Sequence, residues 1–229
     1  MSTKVTFIGH SAVYIESGDH RIAIDPFISG NPVATIKHNE IHPNHIVVTH
    51  GHEDHVGDTL ELASANRSVV YASWEICGYL GEQRLAENQR QPGNAGGKIK
   101  APFGWVAFVQ AFHSSSHGGR YMGQPMGAIV HVGGITFYHC GDTGLFGDMK
   151  LIGEIYKPDV AFIPVGDRFT MGPELGAMAA ELIKPKVAIP IHYGTFSGFL
   201  VDDISAFRPK GVEVRVMRPG ESWEVGGAS

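Results

Sequence analysis

Short apolar runs alternate with polar turns along the chain, and this pattern predicts strands interspersed with helices. The runs 4–8, 12–16 and 21–25 are joined by tight turns and predict an antiparallel meander. A fourth run, 46–49, is apolar or β-branched throughout and predicts a short buried strand. The first part of the chain is therefore expected to form a sheet.

Strand and helix patterns alternate through the rest of the chain. Further predicted strands cover 68–72, 105–112, 127–132, 135–140, 159–164, 186–191, 212–217 and 222–225. Predicted helices cover 73–80, 148–156, 173–183 and 201–207. A short helix is also expected after Asp58, which resembles an N-cap with Glu61 three residues later. The segment 83–104 is rich in Gly and Asn, which predicts a loop with at most a short strand at 98–100. The succession suggests two stacked β-layers with helices outside, an α/β protein.

Composition limits the class of protein. The 229 residues are 43% hydrophobic, as expected for a globular chain, and we expect one domain over 1–229. A formal charge of −5 without a basic run argues against general nucleic-acid binding. Cys77 and Cys140 lack metal or redox spacing and are expected to be ordinary buried thiols. No signal peptide or membrane span is recognised in the sequence, which makes the cytoplasm the expected location.

The segment 50–55 concentrates three histidines and two carboxylates directly after the strand 46–49. Because positions two apart in an extended chain share one side, His50 and His52 can face a single point. A turn near Gly57 would bring Asp54 and His55 to a second point nearby. The alternative is a solvated polar loop rich in histidine. The types of ligand favour two adjacent divalent ions, which in two-metal hydrolases lie about 3.5–4 Å apart.

Other polar residues also follow predicted strands, so they would gather at one edge if those strands are neighbours. A two-ion site needs about seven protein ligands, because catalytic ions keep open positions. The residues that complete such a set are His50, His52, Asp54, His55, His113, Asp142 and His192.

Three of these assignments have rivals. His117, in a glycine-rich loop, competes with His113, which directly follows a strand. Asp142 could instead cap a turn, and His192 could be a buried structural histidine.

The roles of residues around the ligands are more open. Asp25 either orients a ligating histidine or belongs to a plain turn. His10 either lines the pocket or lies in a surface turn. Around Thr170, Phe169 and Met171 either form an apolar substrate wall or belong to the core.

The order of these motifs resembles the metallo-β-lactamase superfamily. The resemblance rests on His-x-His-x-Asp-His at 50–55, a lone histidine after a later strand, Gly-Asp-Thr at 141–143 and the late His192. More narrowly, the segments 9–11, 25–27, 113–115, 169–173 and 192–195 are similar to a branch of metal-dependent hydrolases related to ascorbate-6-phosphate lactonases. The similarity extends from Val5 to about Trp223.

The resemblance implies a four-layer αβ/βα sandwich, with two mixed β-sheets and helices on their outer faces. It implies one ion held by His50, His52 and His113 and a second held by Asp54, His55 and His192. Asp142 would bridge them. A cysteine lies near the bridging position in one subclass of true lactamases, so the aspartate favours a hydrolase other than a lactamase.

We therefore expect metal-assisted hydrolysis by a hydroxide shared between two ions. Zinc is the first expectation, and Mn, Fe or Ni also suit these ligands. Asp54 would orient the hydroxide or accept its proton as general base, and Tyr193 or His10 could protonate the leaving group.

A small ester, lactone or phosphoester is the expected substrate, with a phosphorylated sugar-acid lactone as the most specific hypothesis. Alternatives are a nucleotide phosphodiesterase, an iron-dependent oxygenase or redox protein on the same fold, and a non-catalytic metal-binding protein. Relatives of this kind often associate, so a homo-oligomer is among the expectations.

Overall fold

The protein is built around two β-sheets, and a computed structural model describes residues 2–226. The first sheet contains β1 (Thr3–Gly9), β2 (Ala12–Ser17), β3 (His20–Ile24), β4 (His45–Val47), β5 (Val69–Ser73), β6 (Arg90–Gly93) and β16 (Ser222–Val225). The second contains β7 (Lys98–Ala101), β8 (Gly104–Gln110), β11 (Met126–Val132), β12 (Ile135–His139), β13 (Val160–Pro164), β14 (Val187–Ile191) and β15 (Glu213–Val214). A small ribbon pairs β9 (Ser116–His117) with β10 (Arg120–Tyr121).

Helices connect these strands. The α-helices are α1 (Glu53–Val56), α2 (Thr59–Asn66), α3 (Trp74–Glu82), α4 (Met149–Tyr156) and α5 (Pro173–Ile183). Two 3-10 helices cover His38–Glu40 and Glu87–Gln89. Within residues 2–226, no helix has the length and apolar character needed to span a bilayer.

Each sheet is mixed, with antiparallel strands on one side and parallel strands on the other. The first runs β16-β1-β2-β3-β4-β5-β6 and the second β15-β14-β13-β12-β11-β8-β7. In the first, the pairs from β16 to β3 are antiparallel and those from β3 to β6 are parallel. In the second, the pairs from β7 to β12 are antiparallel and those from β12 to β15 are parallel. The predicted hairpin is confirmed, since Val132 pairs with Ile135 across Gly133 and Gly134.

Three apolar clusters define four layers. The central cluster lies between the sheets and joins side chains of both, including Phe7, Ile22, Phe108 and Phe162. A second cluster packs α2 and α3 on the first sheet, and a third packs α4 and α5 on the second. Each sheet therefore buries both faces, which explains its nearly continuous apolar strands. The predicted αβ/βα sandwich is confirmed.

Strand direction explains why the polar residues gather. From the pairings above, β1, β3 and β4 run in the same direction in the first sheet, and β8, β12 and β14 run in the same direction in the second. The carboxyl ends of parallel strands meet at one edge of a sheet. The residues that follow these six strands are His10, Asp25, the segment 50–55, His113, Asp142 and His192.

Two predictions near the end of the chain are wrong in extent or type. The segment 201–207 forms turns and no helix. Val201 donates its N–H to Gly166, and the Asp203 carboxylate accepts from the Ser205 N–H at 2.8 Å, so tertiary and side-chain bonds replace the helical ladder. The predicted strand 212–217 is reduced to Glu213–Val214.

The predicted loop 83–104 is also wrong in part, because it contains the strand Arg90–Gly93 in addition to the strand at Lys98–Ala101. The Gly and Asn content of this segment gave no sign of the strand Arg90–Gly93, which forms because it pairs with β5. Propensity is a weaker determinant of a strand than the neighbour with which it pairs.

Asp58 does not form the predicted side-chain cap of α2. Its carboxylate accepts hydrogen bonds from the backbone N–H groups of Ile28, at 2.8 Å, and Ser29, at 2.9 Å, and from the Ser29 hydroxyl. Asp58 therefore attaches the loop after β3 to the start of α2, next to the segment that carries the histidines.

Candidate metal centre

Three residues of the centre adopt a backbone conformation that side chains rarely tolerate. His10, Asp25 and His192 follow β1, β3 and β14 with φ angles of 58°, 46° and 60°. Asp and His are among the residues that enter this left-handed region most readily, although it still costs free energy. Such strain at three strand ends that meet at one edge marks a functional site.

The first half of the centre consists of three imidazoles. Nδ1 of His52 lies 3.0 Å from Nε2 of His50 and 3.2 Å from Nε2 of His113. Rival His117 lies elsewhere, beside the ring of Tyr79 at a centroid distance of 5.1 Å. The geometry therefore brings His113 into the cluster and leaves His117 outside it.

Hydrogen bonding orients His50 so that a lone pair faces this cluster. The Thr49 hydroxyl donates to Oδ2 of Asp25 at 2.6 Å, so it accepts from Nδ1–H of His50 at 3.1 Å. Nε2 of His50 then carries no proton and points at the other two rings. Converging lone pairs repel one another, and a shared cation removes that repulsion.

The second half mixes carboxylates with imidazoles. Oδ1 of Asp142 lies 3.3 Å from Nε2 of His55, and Oδ2 lies 3.0 Å from Nε2 of His192. Oδ2 of Asp142 is also 3.6 Å from Nε2 of His113, which belongs to the first half. Asp142 thus lies between the two halves, where a bridging carboxylate is needed.

Asp54 joins this half together with His10. Ligand atoms of His10, Asp54, His55 and His192 all lie within 4.8 Å of one another. Nε2 of His10 is 3.1 Å from Oδ2 of Asp54, and its Nδ1 is 3.0 Å from the hydroxyl of Thr195. With an exposed fraction of 1%, His10 is not part of a surface turn.

Asp25 orients groups of both halves. Its carboxylate accepts from the backbone N–H of Thr49 at 2.8 Å, from the Thr49 hydroxyl, and from Nδ1 of His55 at 2.7 Å. A carboxylate on the far nitrogen fixes the tautomer and ring direction of a ligating histidine. Asp25 therefore turns Nε2 of His55 toward Asp142.

The two halves differ in charge. Burial lowers the pKa values of His50, His52 and His113, so the first half is neutral. Burial acts in the same direction on His55, but the Asp142 and Asp25 carboxylates outweigh it and hold the pKa of His55 well above its usual value. The second half therefore attracts a positive charge.

Both acids of the second half are ionised. Burial would raise the pKa of Asp142, but His192 and His55 hold it well below its usual value. The pKa of Asp54 is likewise lowered, because the hydrogen bond from His10 and the nearby His55 outweigh burial. Burial lowers the pKa of His10 itself to about 4.

The donor set fits divalent ions. Nε2 of His55, Oδ1 of Asp142 and both ring nitrogens of His192 are buried, and although Asp142 lies 3.3 Å from the first ring and 3.0 Å from the second, none of these atoms makes a well-oriented hydrogen bond within residues 2–226. Unpartnered buried polar atoms are costly unless an ion or water satisfies them. Imidazole nitrogens suit Zn, Fe and Ni, and the added carboxylates also suit Mn. His50, His52, His113, Asp54, His55, Asp142 and His192 are the residues that would hold such ions.

A cavity of about 500 Å³ opens onto these side chains. It is lined by His52, Asp54, His113, Ser114, Asp142, Phe169, His192, Phe196, Phe199 and Leu200. Of the residues predicted near substrate, Phe169 belongs to this lining, whereas Met171 is buried in the core. Thr170 and Tyr193 do not belong to the lining, and Tyr193 packs on the apolar cluster beneath α4 and α5.

Sequence reasoning missed several residues of the site. Thr49 and Ser114 directly precede or follow ligands, and that adjacency was the available signal. Phe196 and Phe199 lie only a few residues after His192, but their apolar character suggested no contact with polar ligands. His139 is buried and donates from Nε2 to the Ser11 carbonyl at 2.8 Å, which connects the turn after β1 to the second sheet.

Similar proteins identify the family of this chain. A family model described as a β-lactamase superfamily domain matches residues 4–192. A UPF0173 metal-dependent hydrolase of Geobacillus sp. strain WCH70 is 46% identical over 229 residues, which cover 97% of this chain and 100% of that protein. The chain belongs to the metallo-β-lactamase superfamily. Within it, the chain is a metal-dependent hydrolase of the UPF0173 group.

A second relative and a solved structure support the same superfamily. A UPF0173 metal-dependent hydrolase of Staphylococcus epidermidis strain RP62A is 46% identical, with coverage of 96% of this chain and 99% of that protein. The solved structure of Igni18, a metallo hydrolase from Ignicoccus hospitalis, is 36% identical with a TM-score of 0.89 and full coverage of both chains. The superfamily predicted from the motifs is therefore confirmed.

Proposed function

We propose that this superfamily member hydrolyses a small ester, lactone or phosphoester at a centre of two divalent ions, most favourably zinc. The observation that carries the proposal is the position of Asp142 between a neutral set of three imidazoles and a second set that contains Asp54, His55 and His192. Two sets of ligands that share one carboxylate support two ions better than one.

When bound, two such ions supply a hydroxide nucleophile at neutral pH and polarise the oxygen of the scissile group. The protein's own contribution is orientation. Asp25 and Thr49 fix the directions of His55 and His50, and His10 fixes one oxygen of Asp54. These contacts hold the ligands before substrate arrives, which lowers the cost of organising the reaction.

Asp54 lines the cavity and is ionised, so we assign it to accept a hydrogen bond from the attacking solvent and orient it. The contact with Nε2 of His10 holds Oδ2 of this carboxylate in place for that role. Tyr193 packs on the core, outside the cavity lining, and we leave it out of the proposed mechanism.

Metal analysis combined with an activity panel tests this proposal. The metal-reconstituted protein is assayed on a simple lactone, a carboxylic ester and a phosphodiester, with ions per chain measured by inductively coupled plasma mass spectrometry. We expect two ions per chain, turnover on at least one substrate, and loss of turnover in Asp54→Ala. The matched control Asp203→Ala removes an exposed carboxylate outside the centre and should retain activity.

Two results would contradict parts of the proposal, and a third would narrow it. One iron per chain with no hydrolysis would favour an oxygenase or redox protein on this fold. Unchanged turnover in Asp54→Ala would overturn the role of that carboxylate. Turnover on the phosphodiester alone would support the phosphodiesterase alternative within the proposed class.

A further inference from the structure

We infer that the substrate is an uncharged carboxylic ester or lactone carrying an aromatic or bulky aliphatic group, which binds against an aromatic wall of the cavity. The wall consists of Phe169, Phe196, Phe199 and Leu200. This inference rests on the proposed function, and it narrows the substrate class that the metal centre leaves open.

The cavity has two chemically distinct sides. The polar side carries His52, Asp54, His113, Ser114, Asp142 and His192, and the other side is the aromatic wall. No lysine or arginine is found among the described residues that line the cavity. A phosphorylated sugar-acid lactone would place a dianion here without a protein cation to pair with it. The lining therefore argues against the most specific substrate predicted from the sequence.

Arg168 is a nearby cation that could pair with an anionic substrate, but it stacks on two rings of the wall and lines a different groove. Its guanidinium carbon lies 4.8 Å from the ring centroid of Phe199 and 5.4 Å from that of Phe169. It belongs to an adjoining groove that also contains three carboxylates, Asp167, Asp202 and Asp203. An anionic substrate group that reached Arg168 would meet these acids, so the groove does not form a phosphate site.

The turn that carries Phe169 is held against a metal ligand. A Cβ on Gly166 would lie 1.9 Å from the backbone oxygen of His192, so only glycine permits this approach. Asp167 and Arg168 follow with φ angles of 61° and 51°, and Asp167 donates its N–H to the Met171 carbonyl at 2.9 Å. Two consecutive left-handed residues cost free energy, and here they direct Phe169 to the cavity.

The loop that carries the other rings is attached to the same strand end. Gly194 donates its N–H to the Val201 carbonyl at 3.0 Å, and Val201 donates to Gly166 at 3.1 Å. Phe196 packs edge-on against His10 with ring centroids 5.4 Å apart. The wall is therefore fixed relative to the ligands and belongs to the site.

Exposure indicates that the wall has a partner to cover it. The side chains of Phe169 and Phe199 are 50% and 55% exposed, beside a cavity of about 500 Å³. Burying apolar surface is favourable, and a cavity of this size holds a small organic molecule. A substrate with an apolar group gains that stabilisation, whereas a polyhydroxylated or phosphorylated group loses hydration without gaining a partner.

The reaction balances with water alone. The oxygen of water adds to the acyl carbon, the bond from that carbon to the ring oxygen breaks, and the leaving oxygen takes up a proton. The product is a hydroxy acid, which ionises near neutral pH and releases one proton. A pH-stat therefore measures hydrolysis of any lactone directly.

Three lactones separate the candidate substrate classes. The metal-loaded protein is assayed on γ-butyrolactone, γ-phenyl-γ-butyrolactone and 6-phosphogluconolactone. We expect kcat/KM for the phenyl lactone to exceed that of the unsubstituted lactone by about tenfold or more, and the phosphorylated lactone to be the poorest. Phe199→Ala and Phe169→Ala should each reduce the phenyl preference by about three- to tenfold, mainly through KM.

Leu151→Ala is the matched control, because Leu151 is 52% exposed on α4 and does not line the cavity. It should leave all three values unchanged, and thermal unfolding should show that all variants are folded. A preference for 6-phosphogluconolactone, or a phenyl preference unaffected by both phenylalanine variants, would overturn the inference while the proposed function stands. Hydrolysis of a phosphoester alone would overturn the inference only, whereas failure to hydrolyse any lactone, ester or phosphoester with two ions bound would overturn the proposed function and the inference with it.

Discussion

Both halves of the candidate metal centre contain buried or half-buried histidines, but only the second also contains carboxylates, and the halves differ in charge. In the first half, His50, His52 and His113 are neutral because burial lowers their pKa values. In the second half, Asp142 and Asp25 outweigh the burial of His55 and raise its pKa. Burial alone would make both halves alike, so the carboxylates create the difference.

In the proposed two-ion centre, the halves would therefore attract cations for different reasons. The first offers converging nitrogen lone pairs, which select the kind of metal. The second offers excess negative charge, which attracts any cation and is occupied by a proton on His55 when no ion is present. Asp142 touches both halves, so the comparison depends most strongly on that residue.

Replacing the shared carboxylate should have the largest effect. In Asp142→Ala both halves lose a ligand. We expect the rate of hydrolysis to fall by about 10³-fold or more, and the variant to bind fewer than two ions per chain. Mass spectrometric metal analysis and turnover on a substrate of the wild-type protein check this. Retention of two tightly bound ions would show that Asp142 does not join the halves.

Removing one ligand from each half should separate them. His113→Ala should weaken ion binding in the first half and His192→Ala in the second, so each variant should retain about one ion and lose about 10²- to 10³-fold in turnover. Titration with Zn²⁺ and Mn²⁺ measures the outcome. His192→Ala should retain Zn²⁺ selectivity, because three imidazole nitrogens dominate its remaining half. Identical metal preferences in both variants would contradict the division into halves.

A charged supporting contact should matter more than a neutral one, because Asp25 bonds His55 directly and reaches His50 only through Thr49, whereas Ser114 contacts the first half alone. Asp25→Asn removes the charge that holds His55, and we expect ion affinity to fall by about 10- to 100-fold. Ser114→Ala removes a longer contact, 3.3 Å from Nε2 of His52, and should change affinity by at most about threefold. Competition with a chelator measures both values. Equal losses would show that the halves are supported alike.

The pKa values predict the smallest effect, a difference in proton release. Because its pKa is raised in the ion-free protein, His55 is protonated at pH 7 and must lose that proton when an ion binds. The histidines of the first half have lowered pKa values and are already neutral. Binding of an ion to the second half of His113→Ala at pH 7 should therefore release about one proton. Binding of an ion to the first half of His192→Ala should release close to none. Calorimetry in buffers of different ionisation enthalpy measures this, and equal release would contradict the assignment.

Much of the site was predictable because its ligands belong to short motifs at strand ends. Strand periodicity predicts that His50 and His52 share one side after the buried strand, and a turn near Gly57 predicts that His55 lies close by. His113, Asp142 and His192 also follow strands, and the sheet order needed to bring them together agrees with strand direction. What could not be predicted is contact between residues distant in sequence, such as His10 with Asp54 and Thr195.

Predictions failed where tertiary contacts replaced local ones. The segment 201–207 has a helical pattern, but Val201 bonds to Gly166 and Asp203 bonds to Ser205, so no helix forms. Asp58 has the spacing of a cap, but it bonds to the loop at Ile28 and Ser29. In the first case a tertiary bond and a local side-chain bond replace the helical ladder, and in the second the partners lie in a distant loop.

The amino-acid sequence by itself determined the layered α/β architecture and the kinds of atom available to bind metal, because these depend on hydrophobic periodicity and on side-chain chemistry. The tertiary structure alone decided which ring nitrogens face an ion, which half carries charge, and that Phe169 and Phe199 form a wall beside the centre. These properties depend on burial and on distances between residues far apart in the chain, and packing fixes both.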